Sequence, residues 1–230
     1  MSAETIPADA RSTSPLSKAQ LAARVAADIR PGSYVNLGIG LPTLVADHLP
    51  EESGITLHTE NGLLGMGPSP EPDAVDPELI NAGKAPVTEL DGASYFHQAD
   101  SFAMMRGGHI DVCVLGAFQV STSGDLANWS TGKPGAVPAV GGAMDLAVGA
   151  KRSVVMMTLL TKDGQPKLVP ECTLPLTGVG CVSRIYSDIA VIDVGPGRRD
   201  GVGARVVETY GVTHRELEEM LGLRLDSAAG

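Results

Sequence analysis

Tyr34-Val35-Asn36-Leu37, an apolar run short enough for a buried strand, leads directly into Gly38-Ile39-Gly40-Leu41-Pro42. Glycines let the backbone turn sharply and Pro42 suits a first helical position, so the segment reads as strand, tight turn and helix. That order opens an α/β unit, and in such sheets ligands gather beyond the carboxyl ends of the strands. The device recurs at Gly141-Gly142-Ala143-Met144-Asp145-Leu146-Ala147, which leads into an apolar helix before the strand-like Ser153-Val154-Val155-Met156-Met157-Thr158-Leu159. Two such turns can present backbone N–H groups from different parts of one site, as stabilising an oxyanion requires; on the plainer reading they are only tight connections. The first turn lacks the third glycine of a dinucleotide fingerprint and the Gly-Lys-Ser/Thr of a phosphate loop.

The remaining chain extends this α/β pattern. Ser17 and Gln20 have capping-box spacing, and Leu21, Val25 and Ile29 give one apolar stripe, predicting a helix to about Arg30 that Pro31-Gly32 ends. Ser101 to Arg106 reads as helix, stopped by Gly107-Gly108, and Ile110 to Ala117 as a central strand. Asp163-Gly164 signals a hairpin, Ile189–Val194 and Ala204–Glu208 are late strands, and Thr213-His214-Arg215-Glu216 is a capping box on a last helix ending near Gly222. Residues 67–91, rich in Pro, Asp and Glu and without a clear period, read as a long surface excursion.

With only 3% aromatic residues but 28 glycines, the interior must be built from Val, Leu, Ile, Ala and Met packed close to the backbone. At 230 residues, 43% of them hydrophobic, the chain can bury a substantial core as one domain. That domain is expected over 16–223, between tails at 1–15 and 224–230.

Several classes of function are disfavoured. A net charge of -10 with no basic run argues against a surface for phosphate backbones, so no nucleic acid is expected. Cys113, Cys172 and Cys181 lack Cys-x-x-Cys spacing and read as reduced, mostly buried thiols. His48, His58, His97, His109 and His214 show no ligand spacing, so no metal is expected, and Gly-x-Ser-x-Gly is absent. The first residues lack a basic segment followed by an apolar stretch, and no run approaches the roughly 18 apolar residues of a membrane span. A soluble, cytoplasmic protein is the expectation.

Glu60 lies in Thr59-Glu60-Asn61-Gly62, between the strand-like Ile55-Thr56-Leu57-His58 and the glycine-rich Leu63-Leu64-Gly65-Met66-Gly67-Pro68. A carboxylate at a strand end, beside residues that turn the backbone, can be held against a reacting carbonyl as a nucleophile. Asn-Gly is also a common turn dipeptide, so on the motif alone a surface-loop glutamate is the simpler reading. His58 would share a face with Glu60 if the strand continued, and a packed histidine is the simpler reading of it.

Thr59 to Pro68 resembles the active-site signature of the β subunits of class I CoA-transferases. The likeness runs from about Leu16 to Leu223 and includes Val35 to Pro42, Ser101 to His109, Gly124 to Trp129, Gly141 to Leu146 and Cys172 to Gly178. It implies an α/β, single-domain CoA-transferase fold with a mostly parallel central sheet flanked by helices. It further implies ping-pong exchange of CoA between carboxylic acids, with Glu60 carrying first an acyl group as an anhydride and then CoA as a thioester. By the same resemblance Asn36, Gly38, Gly40, Gly141 and Gly142 bind the oxyanion and acyl-CoA, no cofactor is needed, and an α subunit completes a heterodimer or an α2β2 heterotetramer. The stretches Ser94 to Phe102, Leu115 to Val120 and Gly178 to Tyr186 look most like 3-oxoadipate CoA-transferases, which use succinyl-CoA; acetoacetate-using relatives share the catalytic motif. A second carboxylate on the acceptor needs a cationic or hydrogen-bonding partner, with His97, Arg106 and an α-subunit residue as candidates. A sugar-phosphate isomerase using a carboxylate base and a ligand sensor without turnover are the competing classes.

Overall fold

The computed structural model describes residues 14–132, 139–197 and 203–227. Of the two expected tails, 1–13 and 228–230 lie outside the described residues. In chain order the regular elements are α1 (Lys18–Ala27), β1 (Tyr34–Leu37), β2 (Thr56–Thr59), β3 (Leu63–Met66), β4 (Glu89–Tyr95), α2 (Gln98–Arg106) and β5 (Val112–Leu115). Then come β6 (Gln119–Ser121), β7 (Leu126–Ala127), α3 (Ala143–Gly149), β8 (Arg152–Met157), β9 (Leu168–Val169), β10 (Val182–Ser187), β11 (Ala190–Val194), β12 (Ala204–Thr209), α4 (His214–Leu221) and β13 (Asp226–Ser227).

One ten-stranded sheet dominates, in the order β13-β12-β11-β10-β8-β5-β1-β2-β3-β4. Its centre, β10-β8-β5-β1-β2, is parallel throughout, while β3 and β4 on one side and β11 and β12 on the other add antiparallel. A small second sheet, β7-β6-β9, lies beyond β5 in the chain.

Helices cover both faces, as the buried side chains of the central strands require. Val112 and Val114 of β5 join Val35, Leu57 and Met156 under α1, which contributes Leu21 and Val25. Cys113 and Leu115 point the other way, toward Met105 of α2, Leu146 of α3 and Leu217 of α4. This alternation is the period-two geometry of a strand buried on both sides. Each such aliphatic side chain, fully buried, contributes about 1.5–3 kcal/mol.

Helix α1 starts at the expected Ser17/Gln20 capping box, with both reciprocal bonds made, and ends earlier than expected, at Ala27 with Asp28 as its cap. Asp28 is held there by the sheet: it accepts from Tyr186 Oη at 2.7 Å and Arg184 Nη1 at 3.0 Å. The segment after Gly40 is a 3-10 helix, Leu41–His48, with Pro42 in its first turn. Residues 67–88 form the expected excursion, closed by an antiparallel bridge between Ile80 and Pro86, but Glu89 to Asp91 belong to β4. The hairpin at Asp163-Gly164 is present, with Leu160 bridged to Pro166. Asp226–Ser227, expected in a tail, pairs in parallel with β12 as a short edge strand.

Candidate active site

The parallel strands β1, β2, β5 and β8 end along one edge of the sheet, and a cavity of about 840 Å³ opens there. Strand β1 delivers Asn36 and the first glycine turn to its wall, β2 delivers Glu60, and the loop before α3 delivers Gly141 and Gly142. The cavity thus gathers Asn36, Gly38, Gly40, Glu60, Gly141 and Gly142, six positions from three separate segments of the chain.

Glu60 opens a three-residue turn between β2 and β3, whose last and first residues, Thr59 and Leu63, are paired. Gly62 closes it, donating to Thr59 O at 3.1 Å with φ 110°, and a methyl group there would overlap Phe96 O. Only glycine fits both demands. The turn is pinned further by Phe96 N to Gly62 O at 3.0 Å and by Asn61 Nδ2 to Ile80 O at 2.9 Å.

The Glu60 carboxylate lies directly against Gly142. A Cβ at position 142 would overlap Glu60 Oε2 and stand 3.1 Å from its Cδ and 3.2 Å from Phe102 Cζ. Burial pushes the Glu60 carboxyl above its usual pKa, and the nearby Asp145 carboxylate adds to the rise. Both effects disfavour the anion, which leaves the carboxylate less solvated and more reactive.

The expected oxyanion donors divide into two sets. Gly38 N–H is committed to Val114 O at 2.8 Å, and both N–H bonds of the Asn36 amide point at His58, Nδ2 lying 3.0 Å from His58 O and 3.0 Å from His58 Nδ1. Asn36 therefore turns its oxygen, not its N–H groups, to other neighbours. Among the described residues no acceptor is paired with the backbone N–H of Gly40, Gly141 or Gly142.

His97 and Arg106 do not line the cavity. His97 caps α2, its Nδ1 accepting from Ala99 N at 3.1 Å. Arg106 lies 2.6 Å from Asp145 Oδ1 through its Nε, with its guanidinium 5.5 Å above the Phe102 ring, so it reaches the site only by pairing with the acid that faces Glu60. Among the described residues the cations on the cavity wall are Lys18, exposed at the start of α1, and the half-buried Lys167, whose Nζ donates to Thr158 Oγ1 at 3.0 Å. Burial lowers the Lys167 pKa against a smaller opposing effect of Asp188.

Sequence reasoning did not single out Lys167, Asp145 or Ser101. Lys167 follows a hairpin and reads locally as an ordinary surface lysine; the partners of Asp145 and Ser101 lie far away in sequence. Among the described residues no group of three or more His, Cys, Asp or Glu is placed to hold a metal ion, and no helix is long and apolar enough to cross a membrane.

A sequence model of the coenzyme A transferase family matches residues 18–206. The chain belongs to the coenzyme A transferase family. Among relatives of this CoA-transferase chain, the B-type subunit of a 3-oxoadipate CoA-transferase from Pseudomonas putida is 60% identical over 214 residues, 93% of this chain and 98% of that protein. The B-type subunit of a succinyl-CoA:3-ketoacid coenzyme A transferase from Helicobacter pylori is 52% identical over 172 residues, 74% of this chain and 81% of that one. An acyl-CoA transferase of Escherichia coli O157:H7 shares the fold at a TM-score of 0.68 and 20% identity, with 93% of this CoA-transferase chain covering 42% of that longer one.

Proposed function

We propose that this CoA-transferase chain is a B-type (β) subunit that moves CoA from succinyl-CoA to a 3-oxoacid, with 3-oxoadipate the favoured acceptor and Glu60 the nucleophile. The observation that carries the mechanism is the half-buried Glu60 carboxylate, fixed at a pinned turn and pressed against the second glycine turn. The 60% identity to a 3-oxoadipate CoA-transferase subunit supports the acceptor.

The chemistry follows from matched bond energies. Glu60 attacks the thioester carbonyl of succinyl-CoA, and collapse of the adduct expels the CoA thiolate and leaves a succinyl-glutamyl anhydride. The thiolate then attacks the glutamyl carbonyl, releasing succinate and leaving a glutamyl-CoA thioester. The 3-oxoacid carboxylate attacks that thioester and the steps run in reverse, restoring the Glu60 carboxylate. Each bond made resembles one broken, so the cycle calls for neither metal nor redox cofactor.

Each addition puts negative charge on a carbonyl oxygen, and the backbone N–H groups of Gly40, Gly141 and Gly142 are the candidates to receive it in this chain. Such a donor is worth about 2.7–4 kcal/mol in kcat. Asn36 and Gly38 act by holding the wall in shape. A second carboxylate on the acyl group finds its candidate partner in Lys167. An α subunit completes the enzyme as a heterodimer or an α2β2 heterotetramer, in the cytoplasm.

The test uses the chain assembled with its α subunit. Borohydride added after succinyl-CoA should inactivate the enzyme and convert Glu60 to the corresponding alcohol, while borohydride alone should do neither. Inactivation with Glu60 unmodified in the peptide map rejects the nucleophile. Parallel rates with 3-oxoadipate and acetoacetate decide the acceptor, a clear preference for acetoacetate rejecting the 3-oxoadipate assignment.

A further inference from the structure

Among the buried titratable groups that the chemistry above leaves unused, His58 lies closest to Glu60 in the chain. His58 is 1% exposed, on the face of β2 that meets α2, while the other four histidines are exposed or half-buried. Its partner in register on β1 is Asn36, whose Nδ2 reaches both His58 O and His58 Nδ1. A carbonyl oxygen can only accept, so Asn36 presents N–H groups to both atoms and Nδ1 is an acceptor. The ring proton then sits on Nε2, which lies 3.0 Å from Ser101 Oγ. The Ser101 hydroxyl, receiving that proton donor, itself donates to Thr59 O at 3.2 Å.

One direction satisfies every group: Asn36 donates to His58, His58 to Ser101, and Ser101 to the carbonyl of Thr59. That carbonyl belongs to the peptide group joining Thr59 to Glu60. An imidazolium would set an Nδ1 donor against the Asn36 donor and break the chain at its first link. Burial holds the ring neutral, with its pKa down at about 4. Among the described residues no charged side chain contributes to its shift, and the groups that face it are Asn36 from β1, Ser101 from α2 and the stacked ring of Phe96 after β4.

We infer that His58 is a positioning residue for the transfer reaction: as the neutral Nε2–H tautomer it orients, through Ser101, the peptide group that aims the Glu60 carboxylate at the thioester. Its ring borders the cavity but is 1% exposed, which leaves it almost no surface for contact with substrate. Its effect is on the rate at which Glu60 forms its covalent adduct, with acyl-CoA binding left alone, because a displacement of about 1 Å at a reacting atom costs about a hundredfold in rate. The inference rests on Glu60 being the nucleophile.

The experiment measures single-turnover borohydride labelling of Glu60 in the complete enzyme, for wild type and the variants His58→Leu, His58→Gln, Ser101→Ala and His58→Leu/Ser101→Ala. His58→Leu and Ser101→Ala should each slow labelling about tenfold to a hundredfold with acyl-CoA KM within about twofold of wild type. His58→Gln, which keeps an acceptor and a donor on one side chain, should recover most of the rate, and the double variant should be no slower than His58→Leu. Labelling at the wild-type rate in Ser101→Ala overturns the inference, as does a loss confined to KM or a double variant in which the losses multiply. If His58→Leu fails to assemble, Ser101→Ala and His58→Gln decide alone. Wild type that does not label at Glu60 removes the nucleophile reading and this inference together, whereas wild-type labelling with insensitive variants removes only this inference.

Discussion

Gly142→Ala isolates the contact on which the proposed chemistry depends. At φ -78° the backbone of Gly142 suits alanine, so the substitution carries no strain of its own. Its methyl group, however, would overlap Glu60 Oε2 and come within 3.1 Å of Cδ, with Phe102 Cζ at 3.2 Å closing the other side. The carboxylate must retreat by about 1 Å to restore an ordinary contact, and a displacement of that size at a reacting atom costs about a hundredfold, or ~2.7 kcal/mol of transition-state stabilisation. The neighbouring Gly141→Ala is the contrast: nothing lies within 4 Å of its would-be Cβ, but φ is +55°, so it costs about 1–2 kcal/mol of stability and leaves Glu60 where it is. Single-turnover labelling of Glu60 and thermal unfolding, measured on both variants with the α subunit present, separate the two effects. Slow labelling with an unchanged Tm is expected for Gly142→Ala, and a lowered Tm with labelling slowed less than in Gly142→Ala for Gly141→Ala. Labelling of Gly142→Ala at the wild-type rate would refute the argument that this glycine sets the carboxylate's place.

Other perturbations test the electrostatics. Arg106→Gln leaves Asp145 without its partner beside Glu60, so the Glu60 pKa should rise further and the acid limb of the kcat/KM profile should move to higher pH; an unmoved limb counts against the coupling. His58 has its pKa depressed from 6.5 to about 4, so below 6.5 the unfolded chain takes up a proton that the folded chain refuses. Stability should therefore fall as pH drops from 6.5 toward 4, by up to about 3 kcal/mol, and His58→Gln should flatten Tm over that window; equal slopes would contradict the neutral buried ring. Lys167→Met should raise KM for 3-oxoadipate about tenfold to a hundredfold, the worth of one charge-assisted hydrogen bond, and leave acetoacetate within about twofold. Equal losses on both acceptors would instead tie Lys167 to the CoA portion or to the fold.

The elements legible in the sequence are those whose burial is local. The all-buried run Val112–Leu115 of β5 and the capping boxes of α1 and α4 each carry their reason within a few residues. Strand β4 is not legible, because Glu89, Asp91, Gly92 and Ser94 lie on an exposed edge held mainly by the β3 ladder, and edge strands need no apolar alternation. β13 is hidden for the same reason. At the site, both glycine turns and Glu60 stand out in the sequence, yet Gly141 and Gly142 read alike there. The approach of a carboxylate from the end of β2 and of Phe102 from α2 makes one crowded while the other stays open. Arg106 pairs with Asp145 and Ser101 with His58 across separate elements, so their roles arise from helix docking on the sheet rather than from spacing.

The contact between Glu60 and Gly142 also bears on how the protein matures. Gly142 lies far downstream of Glu60, with β3, β4, α2, β5, β6 and β7 all made between them. Closing so long a loop comes late in folding, since its entropy must be met before the distant contact rewards it. A nascent or partly folded chain therefore carries the Glu60-Asn61-Gly62 turn with an ordinary, water-solvated glutamate. The crowded, less solvated carboxylate is complete only when the α3 segment docks, so the chemistry proposed for Glu60 would stay quiet until the molecule around it is built.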